Sequence, residues 1–487
     1  MSNKINKILE ENGPMLSGEL AKIYEQENNI NNTNARKAIS RARSPIQKNK
    51  LIPFQNNQVF VYLEKQFMNK QYCSNFLSAI LTHSKIASMF IVETTSQGGC
   101  ISKAILPAYT MSPTENLKGH KRYDVLLEQL KQSQIIEEYN DEYLKLTENF
   151  LNSDFKFARS KAIEISKKMV LADFNDLLRK TNVISYELGK FWNNFAHFQW
   201  GFTAPSYLQG VSSWDSKYKK INPGFILADI VLQREASIDE LSFFVEKINI
   251  IKTYKNIGNF IPTLIVYGVN PEALEYLKQN NIFIAFIDKI FGDAYIELLN
   301  DLKNVIEKAT NMVKNHPEKI DKIFDTLVNL GGRYNNVYGD MFELIVAEYY
   351  SLIGVGHLEV HKGINKKDTL SGEPKEIDVF AERNGKIIVV ECKATNSMLE
   401  DNFVEKWLSK KIPDIHYYLS NSIYQNKKFE YQLWSIGGFT ETAKKMLLKA
   451  KQSARKYEIS FFDKNEMLME AKANNVQKFI SRIHKHW

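Results

Sequence analysis

Residues 376–395 read EIDVFAERNGKIIVVECKAT. Two apolar runs flank Asn384-Gly385, a strong hairpin signal, because a type I′ turn needs positive φ at both central positions. Counting outwards from a two-residue turn places Asp378 opposite Glu391. Side chains alternate along a strand, so Lys393 shares the face of Glu391, and Cys392 between them points to the other face, into the core.

Directly opposed carboxylates lie only ~4.5–5.5 Å apart and repel. Their neighbours Ile377, Val379, Phe380, Ile388, Val389 and Val390 are apolar enough for strands buried on both faces. Charge placed there is costly unless something compensates it. A hard divalent cation does so: Mg2+, with Mn2+ as a substitute, accepts oxygen ligands at that spacing. The expected ligands are Asp378, Glu391 and the backbone carbonyl of Cys392. Lys393 is expected to orient a water or to neutralise charge in phosphoryl transfer. Upstream, GDMFELIVAEYY (residues 339–350) reads as a helix with Glu343 one turn from the small residues Gly339 and Ala347. Glu343 either joins the metal shell, directly or through water, or is a surface helix glutamate.

The order of a helix with Glu343, then Asp378, a hairpin and Glu391-Cys392-Lys393 resembles the PD-(D/E)XK nuclease superfamily over roughly residues 330–470. The later GGFTETAKKML, from Gly437, is similar to restriction endonucleases of the Mrr type, where a strand and a helix follow the E-x-K strand. Ile377 stands where that superfamily often has Pro, which leaves the metal ligands in place. The resemblance implies a Mg2+-dependent endodeoxyribonuclease that leaves 5′-phosphate ends, with Asp378, Glu391, Lys393 and Glu343 in its centre. Gln432 is a further candidate for substrate contact.

From about residue 153 onwards, helical and β-like apolar runs alternate, an α/β signature. The pattern repeats. LWSIGGFTETAKKMLLKA, from Leu433, and the following YEISFFDKNEM parallel TLIVYGVNPEALEYLKQNNIFIAFIDKIF from Thr263. The helix of Glu343 has a looser counterpart in SYELGKFWNNFAHF, from Ser185. In the first copy Asp229 and Glu246 take the corresponding strand ends, but the lysine falls at 247, one residue early, and alternation turns it to the opposite face. Ile248 stands where the lysine belongs, and Lys252 is the remaining cation nearby. The first copy is therefore expected to be degenerate, serving DNA binding, packing or dimer formation.

The first 65 residues read as a winged helix-turn-helix. Ile5, Ile8 and Leu9 mark a first helix, and Ser17 is expected to cap a second with Leu20, Ile23 and Tyr24 on one face. In the third, an inward stripe of Ala35, Ala38, Ile39 and Ala42 leaves Arg36, Lys37, Ser40, Arg41 and Arg43 outside. Leu51–Phe54 and Val59–Leu63 then flank Asn56-Asn57 as a hairpin. A basic third helix occupies the place of a major-groove reader, against the plainer reading of a small packing domain. Residues 66–150 look like a second copy or a spacer, with a helix through Tyr123, Leu126, Leu127 and Leu130.

The resulting fold class is multidomain α/β: a winged helix-turn-helix at 1–65, a second winged-helix-like or spacer domain at 66–150, a degenerate nuclease-like domain at 151–310 and a PD-(D/E)XK domain at 311–487. A length of 487 residues accommodates three or four cores. The net charge of +8 is modest, but residues 31–50 hold six Lys/Arg and no acid, which suits a polyanion such as DNA. No apolar run reaches the ~18–20 residues that span a bilayer, and the polar N-terminus is unlike a leader. Three distant cysteines offer neither a disulfide framework nor zinc spacing, so a reducing cytoplasm is expected. No P-loop, G-x-S-x-G or Rossmann fingerprint is present, and His357, His361 and His416 are scattered. The expected partner is DNA, with a homodimer as the acting form; a partner ATPase or methyltransferase is compatible with it. A structure-specific repair nuclease and a non-catalytic winged-helix regulator are the alternatives.

Overall fold

A computed structural model describes residues 2–151, 155, 157–185, 188–254, 257–316, 318–323 and 335–487. The chain is mixed α/β and divides into two compact units. The first comprises Met1–Glu137, Glu142–Phe155 and Asn175–Ile290, and the second Glu138–Asp141, Lys156–Phe174 and Phe291–Trp487.

The first unit opens with helices Ser2–Asn12, Ser17–Asn28 and Asn32–Arg41 and strands β1 (Met15–Leu16), β2 (Ile46–Asn49) and β3 (Phe60–Leu63), in the sheet order β1-β3-β2. Ile5, Ile8, Leu9, Leu20, Tyr24, Ala35 and Ile39 close one core beneath them. Two local expectations are corrected. Leu16, not Ser17, is the residue before the second helix; the Glu19 carboxylate accepts its N–H, and the Ser17 hydroxyl accepts the N–H of Val59. The strand that pairs with β3 is 46–49, not 51–54, because Ile52 and Phe54 turn into the neighbouring core and Pro53 has no N–H to give a ladder.

Helices Lys70–His83, Lys85–Ser96 and Tyr123–Gln132 follow, with β4 (Cys100–Ser102), β5 (Ile136–Glu138) and β6 (Tyr143–Leu146) ordered β4-β6-β5. This repeats the order of the first small sheet. Phe76, Phe90, Leu126 and Leu130 share a core with the α/β sheet that comes next. That sheet is built from β7 (Lys190–Phe195), β8 (Phe198–Ser206), β11 (Gly224–Val231), β12 (Phe260–Val266) and β13 (Phe283–Phe286), in the order β13-β12-β11-β8-β7. Between β8 and β11 lies a small ribbon of β9 (Ser213–Asp215) and β10 (Lys220–Asn222).

Here two readings of the sequence are overturned. Residues 190–195, expected in a helix, form β7, which turns into β8 through Ala196 and His197, both at positive φ. Residues 241–248, expected as a strand, lie in helix Ile238–Lys252. Ser237 and Glu240 form its capping box, and Leu241, Phe244, Val245 and Ile248 fall at helical spacing on its buried side.

The second unit's sheet comprises β14 (His357–Ile364), β15 (Lys375–Arg383), β16 (Lys386–Lys393), β17 (Lys428–Ser435) and β18 (Glu458–Phe462), in that order. β14, β15 and β16 run antiparallel, and β16, β17 and β18 parallel. The first sheet has the same sequence of directions through β7, β8, β11, β12 and β13. A lone parallel bridge also recurs, Ala236↔Val269 in one and Leu399↔Phe439 in the other. One face of the second sheet, with Phe380, Val389, Tyr431 and Leu433, packs on Val404, Trp407, Ile415, Ala443 and Leu447. On the other, Trp434 meets Tyr349, Tyr350 and Phe479. Among the described residues no single helix is long and apolar enough to cross a membrane.

Candidate active site

The β15–β16 hairpin turns at Asn384 (φ 52°) and Gly385 (φ 75°), both left-handed as a type I′ turn requires. Its ladder runs from Arg383↔Lys386 to Val379↔Val390. One step further, in the same register, Asp378 faces Glu391. There the ladder stops, and the Asp378 carboxylate takes the backbone N–H of Cys392 at 2.7 Å. On its other side β15 pairs with β14 at Val379↔Val360 and Ile377↔Lys362 but not at Asp378. The residue facing it there, His361, sits at φ 57°, a conformation uncommon for a residue with a side chain. Asp378 thus drops out of the ladder on both sides, and its strand parts from β16 where the charges gather.

Asp378 and Glu391 are both buried. Burial, then the neighbouring Glu391 and Glu343, push the Asp378 carboxyl up to about 7. Burial also acts on Glu391, but Lys393 and Lys411 outweigh it and hold that carboxyl below its ordinary value. Lys393 Nζ stands 3.0 Å from Glu391 Oε1, with 31% of its side chain exposed. Lys411 grips the other oxygen, Oε2. Lys411 comes from a π-helical turn, Trp407–Lys411, between helices Asp401–Lys406 and Ile412–Ser420. Such one-turn widenings are frequent at functional sites because they re-aim side chains.

Glu343 lies on helix Asn335–Leu352, buried, with Lys161 Nζ 2.9 Å from each carboxylate oxygen and His361 Nδ1 2.9 Å from Oε2. Burial works against its charge, yet Lys161 and His361 hold the carboxyl far below its usual range. Burial and Lys161 oppose protonation of His361, but Glu343 and Glu376 prevail and raise it to about 9. Ala347 is buried; the surroundings of Gly339 lie outside the described residues.

The structure thus sets Lys393 and Lys411 on Glu391 across from Asp378, while Glu343, paired with Lys161 and His361, is near enough for its charge to raise the Asp378 carboxyl. Cys392 is buried, its thiol pushed up by burial and the carboxylates around it. Gln432 is turned inward: its Oε1 accepts from Tyr350 Oη (2.6 Å) and Trp434 Nε1 (2.8 Å), and its Nε2 donates to Glu430. His357 pairs with Glu359, and His416 meets the Tyr431 hydroxyl. Among the described residues no three His, Cys, Asp or Glu side chains stand together as a metal cage. The Asp378–Glu391 pair nevertheless fits a divalent cation, because the Asp378 charge is opposed by burial and by Glu391 while both cations on the pair contact Glu391.

In the first sheet the expected register is corrected. β11 holds the place of β16, so Asp229 lies on the counterpart of the E-x-K strand and not on that of Asp378. Consecutive helical residues point about 100° apart, so Lys247 turns inward while Glu246 turns out to Lys85 at 2.6 Å. Lys247 is fully buried, 2.7 Å from Asp229 Oδ2, and also donates to the carbonyls of Ala108 and Gln199. Asp229 Oδ1 takes the N–H of Gly201 at 2.6 Å. Lys252 reaches the carbonyl of Asn280, and Ile248 is core.

On helix Asn32–Arg41 and just beyond it, Arg36, Lys37, Ser40, Arg41 and Arg43 are all exposed. Arg36 Nε is steadied by Asn32 Oδ1 at 2.8 Å.

No protein-family model matches the chain, and no curated protein matches it. Among solved structures it is similar to AF1548, a protein of unknown function, at 17% identity over 26% of this chain and 57% of that one, with a TM-score of 0.20. It is also similar to protein VC1899 from Vibrio cholerae, at 10% identity over 48% of this chain and 55% of that one, with a TM-score of 0.17. The chain spans little more than half the length of either, and likenesses of this size carry no functional argument.

Proposed function

We propose that the second unit is a divalent-metal-dependent phosphodiesterase of the PD-(D/E)XK type that cuts DNA, and that residues 1–65 act as a winged helix-turn-helix delivering it. One observation carries the reading: Asp378 and Glu391 face each other, buried, where their strands part, with Lys393 against Glu391. Two ionisable acids confined in a sheet are expensive without a counter-charge, and this pair is the place for one.

Asp378, Glu391 and the Cys392 carbonyl would hold Mg2+, with Mn2+ as a substitute. When bound, Mg2+ supplies Lewis-acid polarisation of the scissile phosphoryl oxygen. Lys393, partly open to solvent, orients an attacking water and neutralises charge developing on the phosphate. Lys411 keeps Glu391 ionised. Lys161 and His361 hold Glu343 in place behind the pair, so Glu343 acts by position and by field. Exposed cations on the third N-terminal helix suit phosphates and base edges. The design matches restriction or antiviral defence enzymes, which join a targeting module to a cutting one.

The test is incubation of the purified chain with modified and unmodified plasmid DNA, in Mg2+ or in EDTA. Nicking or linearisation with Mg2+ alone supports the proposal. Tight DNA binding without cutting under any metal leaves a winged-helix regulator instead.

A further inference from the structure

The first sheet carries an elaboration that the second lacks. β15 and β16 are joined by Asn384-Gly385 alone, whereas β8 and β11, which hold the same places, are joined by residues 207–223. Part of that connection is the ribbon β9–β10, paired as Ser213↔Asn222, Trp214↔Ile221 and Asp215↔Lys220. Closing the hairpin does not need it.

Its root is fixed and its tip is bare. Val211 is buried, and a Cβ on Gly224 would come within 2.3 Å of Val211 Cγ1 and 2.6 Å of the Asn259 carbonyl, so the backbones close tightly there. Beyond the root, Trp214 and Tyr218 are each 63% exposed and Ile221 54%. Taking apolar surface out of water is favourable, so leaving these side chains in water on a structured ribbon is a cost that a partner recovers.

The charge says which partner. Lys217, Lys219 and Lys220 cluster in the turn beside Tyr218, and the ammonium groups of Lys217 and Lys220 lie 5.1 and 5.5 Å from the Tyr218 centroid. Asp215 is the one acid between 207 and 224. Its carboxylate accepts the N–H groups of Lys217 and Tyr218, which builds the turn. An apolar protein surface would satisfy Trp214 and leave the lysines unanswered. Stacked bases on a phosphate chain answer both, and base faces are free only where strands are unpaired.

We infer that the arm 207–223 binds single-stranded DNA, with Trp214 and Tyr218 stacking on bases and Lys217, Lys219 and Lys220 meeting phosphates. The inference rests on the nuclease reading only for the choice of DNA.

The experiment uses the full chain in EDTA, with fluorescein-labelled oligothymidylate and a labelled duplex as probes. Trp214→Ala with Tyr218→Ala is expected to weaken oligothymidylate binding at least about tenfold and to spare the duplex. Lys217→Ser, Lys219→Ser and Lys220→Ser together are expected to lower the single-strand salt slope by about 2. Unchanged circular dichroism verifies folding. Unaltered affinity and slope in both variants overturn the inference, and so does an equal loss on single strand and duplex, the mark of a groove-reading arm. Plasmid cutting in Mg2+ is scored separately. Arm variants that bind single strands poorly yet cut leave the nuclease reading standing, whereas a wild type that binds through the arm and never cuts removes that reading and keeps this one.

Discussion

Lys247 and Asp229 meet at 2.7 Å with neither side chain reaching solvent. Removing one partner strands a charge inside the protein, which costs about 3–5 kcal/mol. Lys247→Met is therefore expected to destabilise the first unit by that much. Lys247→Met with Asp229→Leu should cost less than the two changes summed, because the pair disappears together. Glu246→Gln, whose partly exposed partner is Lys85, should fall within about 1 kcal/mol. Urea unfolding of Lys247→Met, Asp229→Leu, their combination and Glu246→Gln measures all of this, and equal costs for Lys247→Met and Glu246→Gln would contradict the burial argument.

Asp378→Ala, Glu391→Ala and Lys393→Ala are each expected to reduce plasmid cleavage to background while leaving circular dichroism and DNA affinity near wild type. Groups that act as one unit fail together. Full activity of Lys393→Ala, or undiminished cutting in EDTA, would sink the metal mechanism.

Lys411→Met keeps every residue of the E-x-K triad but removes the cation that grips Glu391 Oε2. Supporting partners of metal ligands typically contribute about 10–100-fold in affinity or activity. The Mg2+ concentration for half-maximal cleavage should rise within that range, and Lys411→Arg should recover part of it. An unchanged Mg2+ midpoint would make Lys411 a purely structural contact.

Against burial and Lys161, the carboxylates of Glu343 and Glu376 push the His361 imidazole up to about 9, from an ordinary 6.5. The protonated form is the one the fold favours, so the folded state holds more protons than the unfolded state between those values. Its contribution to stability is complete below pH 6.5 and is lost as pH rises through about 9. Melting curves of wild type across that window should decline more steeply than those of His361→Gln. Parallel declines would show that the imidazole is neutral in the fold.

Arg36→Ala with Arg41→Ala is expected to weaken duplex DNA binding at least tenfold, about 1.4 kcal/mol, and to leave Mg2+-dependent chemistry on saturating DNA unaltered. A lost phosphate contact lowers the salt slope by about 1, whereas a lost base contact relaxes preference at one position. Identical salt titrations for wild type and variant would mean that this helix faces something other than DNA.

The β15–β16 register was legible because Asn384-Gly385 sets the turn and the period of two does the rest. Helix 238–252 was not, since LSFFVEKI satisfies a buried strand and a helix alike, and the capping box of Ser237 and Glu240 was the signal that separates them. Residues 190–195 misled for the opposite reason: their aromatics suit either element, and the turn at Ala196-His197 has no glycine to announce it. Lys161, His361 and Lys411 carried no local signature at all. Each reaches the acids from a different element, one through a left-handed residue in a strand and one through a widened helical turn, and neither distortion is written in hydrophobic spacing.

Lys161 belongs to helix Phe157–Lys180, of which residues up to Phe174 fold with the second unit. The second unit is therefore discontinuous in the chain. A fragment begun near residue 311 would keep Asp378, Glu391 and Lys393 yet discard the ammonium that contacts both oxygens of Glu343. That acid would be left with His361 as its cationic neighbour. Anyone expressing the C-terminal half for crystallisation, or joining it to a different protein, has to bring that earlier helix along, as a fused segment or as a separate chain.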